Sequence, residues 1–576
     1  MPELSDQVAD AVRRGAEELF ARQHDDGAFG DSPPSSILGT AGAITALHAA
    51  DPAGSASLIS AGAAWLREAQ LPDGGWGGVV GAGSEPVATS VALSALQITA
   101  AADSVSAVAA GRGRLADFGG VESVTDPAVQ LLCKLFLMLA GFLQPGDLRR
   151  LPLEVVLLDK VRRQNISFRT APFAAMALAQ SVTDPATGLR RVTSRLARGK
   201  ALRLLTDIYE HEGRTGNFSE DPWPAALVCL SLARAALAPE LVAASAGYLR
   251  RSVRPDGSWD AVSNLDLTRS SFAATGLIAA GYAGDLRLQR TRELFHRCQQ
   301  SEAFTVLDCP PGGWSFSGAR GWPVTLESAE ILSALAGLPG SERNESLSTG
   351  LDWLTGRQDS RGSWSLWVRD TKLANDGPCP GITSQGITAL LDAGRPSSDA
   401  AVQTAASWLL TQQRPDGTFE NLWYRDFTTG TAVALAALAR AGYPGHPVAQ
   451  RARQWLLDSQ LADGGWGPGP QQADARAANI GPVEASVEET AWALHALIEA
   501  GVPVESEPVR RGITWLIEAQ LPDGSWQPSR VCVYIRHHMN YPNGAIARGL
   551  ALRALGLYAE RSRETSSTTD PAEAAR

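Results

Sequence analysis

One phrase recurs along this chain and constrains its fold more than any other feature: Gln, three residues, Gly, one residue, aromatic. It occurs as Gln23-Gly27-Phe29, Gln70-Gly74-Trp76, Gln358-Gly362-Trp364, Gln413-Gly417-Phe419, Gln460-Gly464-Trp466 and Gln520-Gly524-Trp526. A degenerate copy has Val253 in place of Gln, before Gly257 and Trp259. Repetition of this kind decides a fold before local propensities do. Most copies follow an amphipathic stretch such as Ala64-Trp65-Leu66 or Gln454-Trp455-Leu456-Leu457, then pass through Pro-Asp-Gly or Ala-Asp-Gly into a second Ala/Leu-rich stretch. The unit is therefore helix, tight turn, helix. Gly supplies the positive-φ residue that stops a helix, and Pro at the turn start prevents its continuation. A glutamine amide lying on an indole face and bonding backbone groups at a helix end would staple neighbouring repeats. The phrases are scaffold and carry no chemistry themselves.

A chain of 576 residues exceeds what one hydrophobic core organises, so two domains of roughly 250 to 300 residues are expected. The net charge of -10 leaves no broad basic surface for a phosphate backbone, which excludes nucleic acid as a partner. Six cysteines without any C-x-x-C pair argue against a disulfide framework or a zinc cage and fit a reducing cytoplasm. Met1 to Glu18 is acidic and helix-like, without the basic start and apolar stretch of a secretory signal, so no export is expected. The most apolar stretch, Leu131 to Leu143, contains Lys134 and is shorter than the roughly 20 residues of a spanning helix. It reads as a core helix, the other reading being a patch that dips into one bilayer leaflet.

Six or seven copies of the Gln-Gly-aromatic phrase resemble the triterpene cyclases, the squalene-hopene and oxidosqualene cyclase superfamily. The resemblance runs from about residue 8 to about residue 558. It implies an all-α chain of two α/α toroids, each a double ring of helices. Residues 1–35 with 285–560 would form the C-terminal barrel carrying the acid site, and 36–284 the inserted barrel. The Ser/Thr/Glu-rich residues 561–576 would be a disordered tail.

Polyene cyclisation needs an acid strong enough to protonate an alkene or epoxide, a wall that stabilises cations, and exclusion of water. A carboxyl in an apolar pocket stays protonated near neutral pH, aromatic faces stabilise cations, and a dry cavity prevents early capture. The segment from Gly312-Gly313-Trp314-Ser315-Phe316 to Gly321-Trp322-Pro323-Val324-Thr325-Leu326-Glu327-Ser328-Ala329-Glu330 resembles the acid-bearing region of the family. There oxidosqualene cyclases have Gly-Trp-Pro-Ile/Val ahead of Asp-Cys-Thr-Ala-Glu, and hopene cyclases Asp-x-Asp-Asp. Leu326 stands at the protonating aspartate, Glu327 at the next position, and Glu330 at the last glutamate. Pro380-Gly381-Ile382-Thr383-Ser384-Gln385 resembles the phrase Glu-Asp-Val-Thr-Ala-His, with Gln385 in place of the histidine that bonds the acid and Gly381 in place of its aspartate. Acid and partners have changed together, which points to remodelled initiation with Glu327 as proton donor. By the same resemblance Phe316, Trp322, Trp367 and Trp423 bind the substrate, as do Tyr534 and His537 in the cavity-closing phrase. There His537 and Asn540 replace tyrosines, and a neutral histidine could act as terminating base or bond a polar head.

The expected function is protonation-initiated cyclisation of a linear isoprenoid, an epoxidised polyprenyl or squalene-type chain or a meroterpenoid precursor, with no cofactor and no metal. An epoxide oxygen is far more basic than an alkene carbon and tolerates an acid without its histidine partner. The expected partner is the hydrophobic substrate, with peripheral contact to the inner membrane face and a homodimer left open. Two alternatives are a cyclase homologue that only binds lipid or a partner, favoured by Leu326, and the toroid subunit of a protein prenyltransferase. The latter needs an Asp, Cys and His set for zinc, where this chain has Asp308-Cys309 adjacent.

Overall fold

A computed structural model describes residues 2–158, 164–184, 189–219, 221–263, 265–341, 344–425, 427–469, 483–536 and 538–569. Helix makes up 59% of it, well above the one-third of an ordinary globular domain. The N-terminal helix α1 (Pro2–Ala21) precedes a first barrel. The barrel's inner helices are α2 (Ile37–Ala50), α4 (Pro86–Thr99), α6 (Pro127–Leu139), α7 (Thr170–Thr183) and α9 (Pro222–Arg234). Outside them lie α3 (Ala56–Glu68), α5 (Val105–Asp117), α8 (Leu189–His211) and α10 (Pro239–Arg251). Contacts run from α7 through α9, α2 and α4 to α6.

The second barrel is a closed double ring. Its inner helices are α11 (Asp266–Leu277), α13 (Thr325–Gly337), α15 (Pro380–Asp392), α17 (Thr428–Arg440), α19 (Val487–Glu499) and α21 (Gly544–Thr569). Each packs on the next, and α21 returns to α11. Outside lie α12 (Leu286–Cys298), α14 (Glu345–Gly356), α16 (Ala400–Leu409), α18 (Pro447–Asp458) and α20 (Glu507–Glu518). The ring is completed by α1, which packs on α20 and α21. Sequence separates the two layers. Inner helices such as α2 are buried along nearly their whole length, whereas α20 buries only the stripe Val509, Gly512, Ile513 and Leu516.

The repeated phrase does the stapling. The amides of Gln70, Gln358, Gln413, Gln460 and Gln520 each donate to the carbonyl of the glycine four residues on. Each also donates to a carbonyl of the next outer helix: Ala107, Ala401, Val448, Pro508 and Ala11. The indole N–H reaches back to the end of the preceding outer helix, as from Trp76 to the Leu66 carbonyl at 2.7 Å. Gly524, at φ 88°, shows why glycine is needed, because a Cβ there would lie 2.6 Å from the Arg14 carbonyl oxygen. A further copy escapes the spacing rule. Gln299 bonds the carbonyls of Gly312 and Ser346 while Trp314 bonds that of Phe295, with an insertion between them.

Two expectations are corrected. The second barrel begins at Asp266 rather than at 285, since α11 packs between α21 and α13 as an inner helix. Residues 561–569 are not a disordered tail but continue α21, with 570–576 outside the described residues. The apolar stretch 131–143 is mostly the core helix expected of it: α6 buries Leu131, Leu132, Cys133, Phe136 and Leu137, and Lys134 pairs with Glu122 at 2.7 Å. No described helix is long and apolar enough to cross a membrane.

Candidate active site

A hollow of about 90 Å³ lies where the first residues of α13 face the hairpin of β1 (Cys532–Ile535) and β2 (Met539–Tyr541). Residues of both barrels line it, among them Phe168, Asp221, Thr268 and Glu327. The Val324 amide bonds the Trp314 carbonyl and the Thr325 amide that of Leu366, which fixes where α13 starts. Leu326 and Glu327 both reach the hollow from its first turn. A helix N-terminus favours a carboxylate, and the Thr268 hydroxyl donates to Glu327 Oε1 at 3.1 Å. Burial opposes both and wins, pushing the Glu327 carboxyl up to about 7. At neutral pH much of it therefore carries a proton.

Aromatic rings form the wall. Trp367 meets Phe316 at 6.3 Å between centroids and Phe168 at 5.6 Å, and Phe168 meets Trp423 edge-on at 6.4 Å. All four rings line the hollow. The Trp367 indole is held by its N–H donating to Asp376 Oδ1 at 3.1 Å, while Asp376 Oδ2 accepts from Arg169 at 3.0 Å. The Trp423 carbonyl accepts from the Val533 amide at 3.0 Å, which ties this loop to the hairpin, and its indole N–H has no hydrogen-bond partner among the described residues. From the hairpin come Tyr534 and Tyr541. Burial holds both phenols well above their ordinary range, so they remain neutral donors.

The structure thus gathers Glu327, Phe316, Trp367, Trp423 and Tyr534 around one hollow. Three other residues expected at the site lie elsewhere. Trp322 packs edge-on behind Trp367 at 5.9 Å and donates to Glu212 Oε1 at 2.7 Å, so it supports the wall without lining it. Glu330, one turn along α13, is buried outside the hollow where it meets the charge of Arg553, and its Oε1 has no hydrogen bond among the described residues. Gln385 is half-buried on α15 and does not bond Glu327, a place taken by Thr268. His537 lies outside the described residues. Sequence reasoning missed Phe168, Asp221, Thr268, Tyr424 and Tyr541 as residues of the hollow. The aromatic-rich run from Tyr534 to Tyr541 was the one available signal for Tyr541.

The hollow continues. Through Phe168, Trp423, Val533 and Tyr534 it adjoins a second hollow of about 80 Å³. Through Asp126, Arg169, Phe173, Asn375 and Arg536 that one adjoins a vestibule of about 840 Å³ between α6 and α7. Shared lining residues thus link the vestibule, step by step, to the hollow at Glu327.

A double-ring α/α barrel pair enclosing a buried carboxyl and an aromatic wall defines the class of protonation-initiated terpene cyclases. Two family models match: the squalene-hopene cyclase N-terminal domain over residues 12–170 and the squalene-hopene cyclase C-terminal domain over 304–534, together more than half the chain. The chain belongs to the squalene-hopene and oxidosqualene cyclase superfamily. It is 27% identical over 272 residues to squalene–hopene cyclase of Zymomonas mobilis, covering 42% of this chain and 41% of that one. It is 26% identical over 339 residues to lanosterol synthase of Pneumocystis carinii, covering 52% and 47%. The match therefore spans less than half the length of these curated relatives. Among solved structures, ent-copalyl diphosphate synthase from Streptomyces platensis shares the fold over 96% of this chain and 99% of that one, with TM-score 0.56 and 19% identity.

Proposed function

We propose that the protein cyclises a linear isoprenoid epoxide, of polyprenyl or squalene type, with Glu327 as the proton donor. The observation that carries this reading is the placement of a buried carboxyl, pushed up to about 7 by its burial, in the same hollow as Phe316, Phe168, Trp367 and Trp423. Protonation of the epoxide oxygen opens its C–O bond, the neighbouring alkene attacks the electron-poor carbon, and each ring closure moves the positive charge along the chain. Ring faces stabilise that charge without offering a nucleophile. Leu326 cannot give a proton, and Glu327 takes its place one residue on with a longer arm. Thr268 fixes the carboxyl by bonding Oε1, leaving the second oxygen for the substrate.

Purified wild type, Glu327→Gln and Glu330→Gln, each checked for an unchanged thermal midpoint, are incubated with 2,3-oxidosqualene. Wild type should convert it. Glu327→Gln should lose at least about a hundredfold in turnover, as removal of a general acid does, and Glu330→Gln should lose far less. Wild-type turnover by Glu327→Gln would refute the assignment.

A further inference from the structure

The hollow holds a second carboxyl, one that the protonation step does not use. Asp221 caps the N-terminus of α9, is 4% exposed, and enters the hollow from the first barrel, whereas Glu327 enters from the second. Its surroundings differ from those of Glu327. One Asp221 oxygen accepts the Trp223 amide at 2.9 Å and the other the Val262 amide at 3.1 Å. The Tyr534 hydroxyl faces the same carboxyl without closing a well-formed hydrogen bond. Both carboxyls sit at helix N-termini, which favour the anion, but Asp221 has a backbone donor on each oxygen where Glu327 has one side-chain donor on Oε1. Burial raises Asp221 to about 6. Two carboxyls that enter one hollow from opposite barrels, with different donors on them, suit the acid and the base of one reaction. A cation in this hollow meets aromatic faces and apolar side chains at most positions, and Asp221 is the lining carboxyl with backbone N–H groups on both oxygens.

We propose that Asp221 ends the reaction by taking a proton from the carbon next to the last cationic centre, so that the product is a cyclic alkene and not a water-captured alcohol. The inference rests on the cyclase reading above. In this step the C–H bond breaks, its electron pair becomes the new C=C bond, and the proton passes to an Asp221 oxygen. Glu327 has given up one proton and Asp221 has gained one, so the substrate is isomerised with no oxidant or reductant. Both carboxyls return to their starting states by exchange with water after the product leaves. The Trp223 and Val262 amides hold the Asp221 carboxyl, and Tyr534, whose hydroxyl faces it, is a positioning residue.

The test uses full-length wild type, Asp221→Asn, Tyr534→Phe and Glu327→Gln with 2,3-oxidosqualene in buffer made with ¹⁸O-water. Asn keeps the cap on the Trp223 amide but not the acceptor for the Val262 amide, so Asp221→Asn is first checked for an intact thermal unfolding transition. Wild type should give unlabelled cyclic alkene. Asp221→Asn should still consume substrate, but with a shift to other alkene isomers or a rise of about tenfold or more in the ¹⁸O-labelled alcohol fraction, the scale of a lost general base. Tyr534→Phe should move the product ratio the same way by less, and it decides the matter if Asp221→Asn does not fold. An unchanged product profile in the folded variants would overturn the role of Asp221. Loss of all consumption in Asp221→Asn, as in Glu327→Gln, would overturn it too by placing Asp221 in the protonation step. A wild type that converts neither 2,3-oxidosqualene nor squalene would refute the cyclase reading instead.

Discussion

Side chains in the hollow set three expectations that differ in kind. Glu327 must be protonated to donate, and its carboxyl is pushed up to about 7, so turnover should be full at lower pH and fall as pH rises through about 7. Thr268→Val removes the hydroxyl that stabilises the Glu327 carboxylate. The descending limb of kcat should therefore move to higher pH, and the weaker acid should turn over about tenfold more slowly; a limb that stays in place would contradict the assignment. Trp423→Ala should change product ratios more than it lowers the thermal midpoint, because a cation-π contact of about 0.5 to 2 kcal/mol is enough to redirect competing cations. Glu330 behaves differently. Burial raises its carboxyl to about 7 from the ordinary glutamate range, so its protonated form stabilises the fold at low pH. That contribution is lost as pH rises through about 7. Differential scanning from about pH 5 to 8 should show Glu330→Gln with a flatter decline than wild type. The sequence made Glu327, Phe316, Trp367 and Trp423 legible because each sits in a family phrase. It could not reveal Thr268, Asp221 or Phe168, since each reaches the hollow only through the packing of helices far apart in the chain.

At the scale of elements, the repeat was legible because its chemistry is local: one glutamine, one positive-φ glycine and one aromatic within seven residues. The copy at Gln299 was hidden because its Gly-x-Trp lies thirteen residues on rather than four, the insertion between carrying Phe304 against Trp322 at 5.0 Å. The barrel boundary was misplaced for a related reason. Nothing in the composition of α11 distinguishes an inner helix of one ring from that of the other, and only its packing between α21 and α13 does. The staples carry a prediction of their own. Gln520→Ala removes amide bonds to the Ala11 and Gly524 carbonyls, at the joint where α1 completes the second ring. It should cost about 1 to 3 kcal/mol, read as a lower denaturant midpoint, with the product profile unchanged. A variant as stable as wild type would show that these bonds do not hold the ring together.

Across the whole molecule, the reacting groups belong to neither barrel alone. The second contributes Glu327, Thr268 and most of the aromatic wall, while Phe168 and Asp221 come from the first, with Arg169 reaching over to Asp376. Chemistry at the seam explains why a chain with a rebuilt acid phrase keeps so much scaffold: the repeats hold two shells in register around a hollow that neither could close. The most direct measurement is mass spectrometry of 2,3-oxidosqualene incubated with wild type and with folded Glu327→Gln. The account predicts that wild type yields a product of unchanged mass and altered retention and that Glu327→Gln leaves the substrate almost untouched. Equal conversion by the two proteins, or none by wild type, would contradict it.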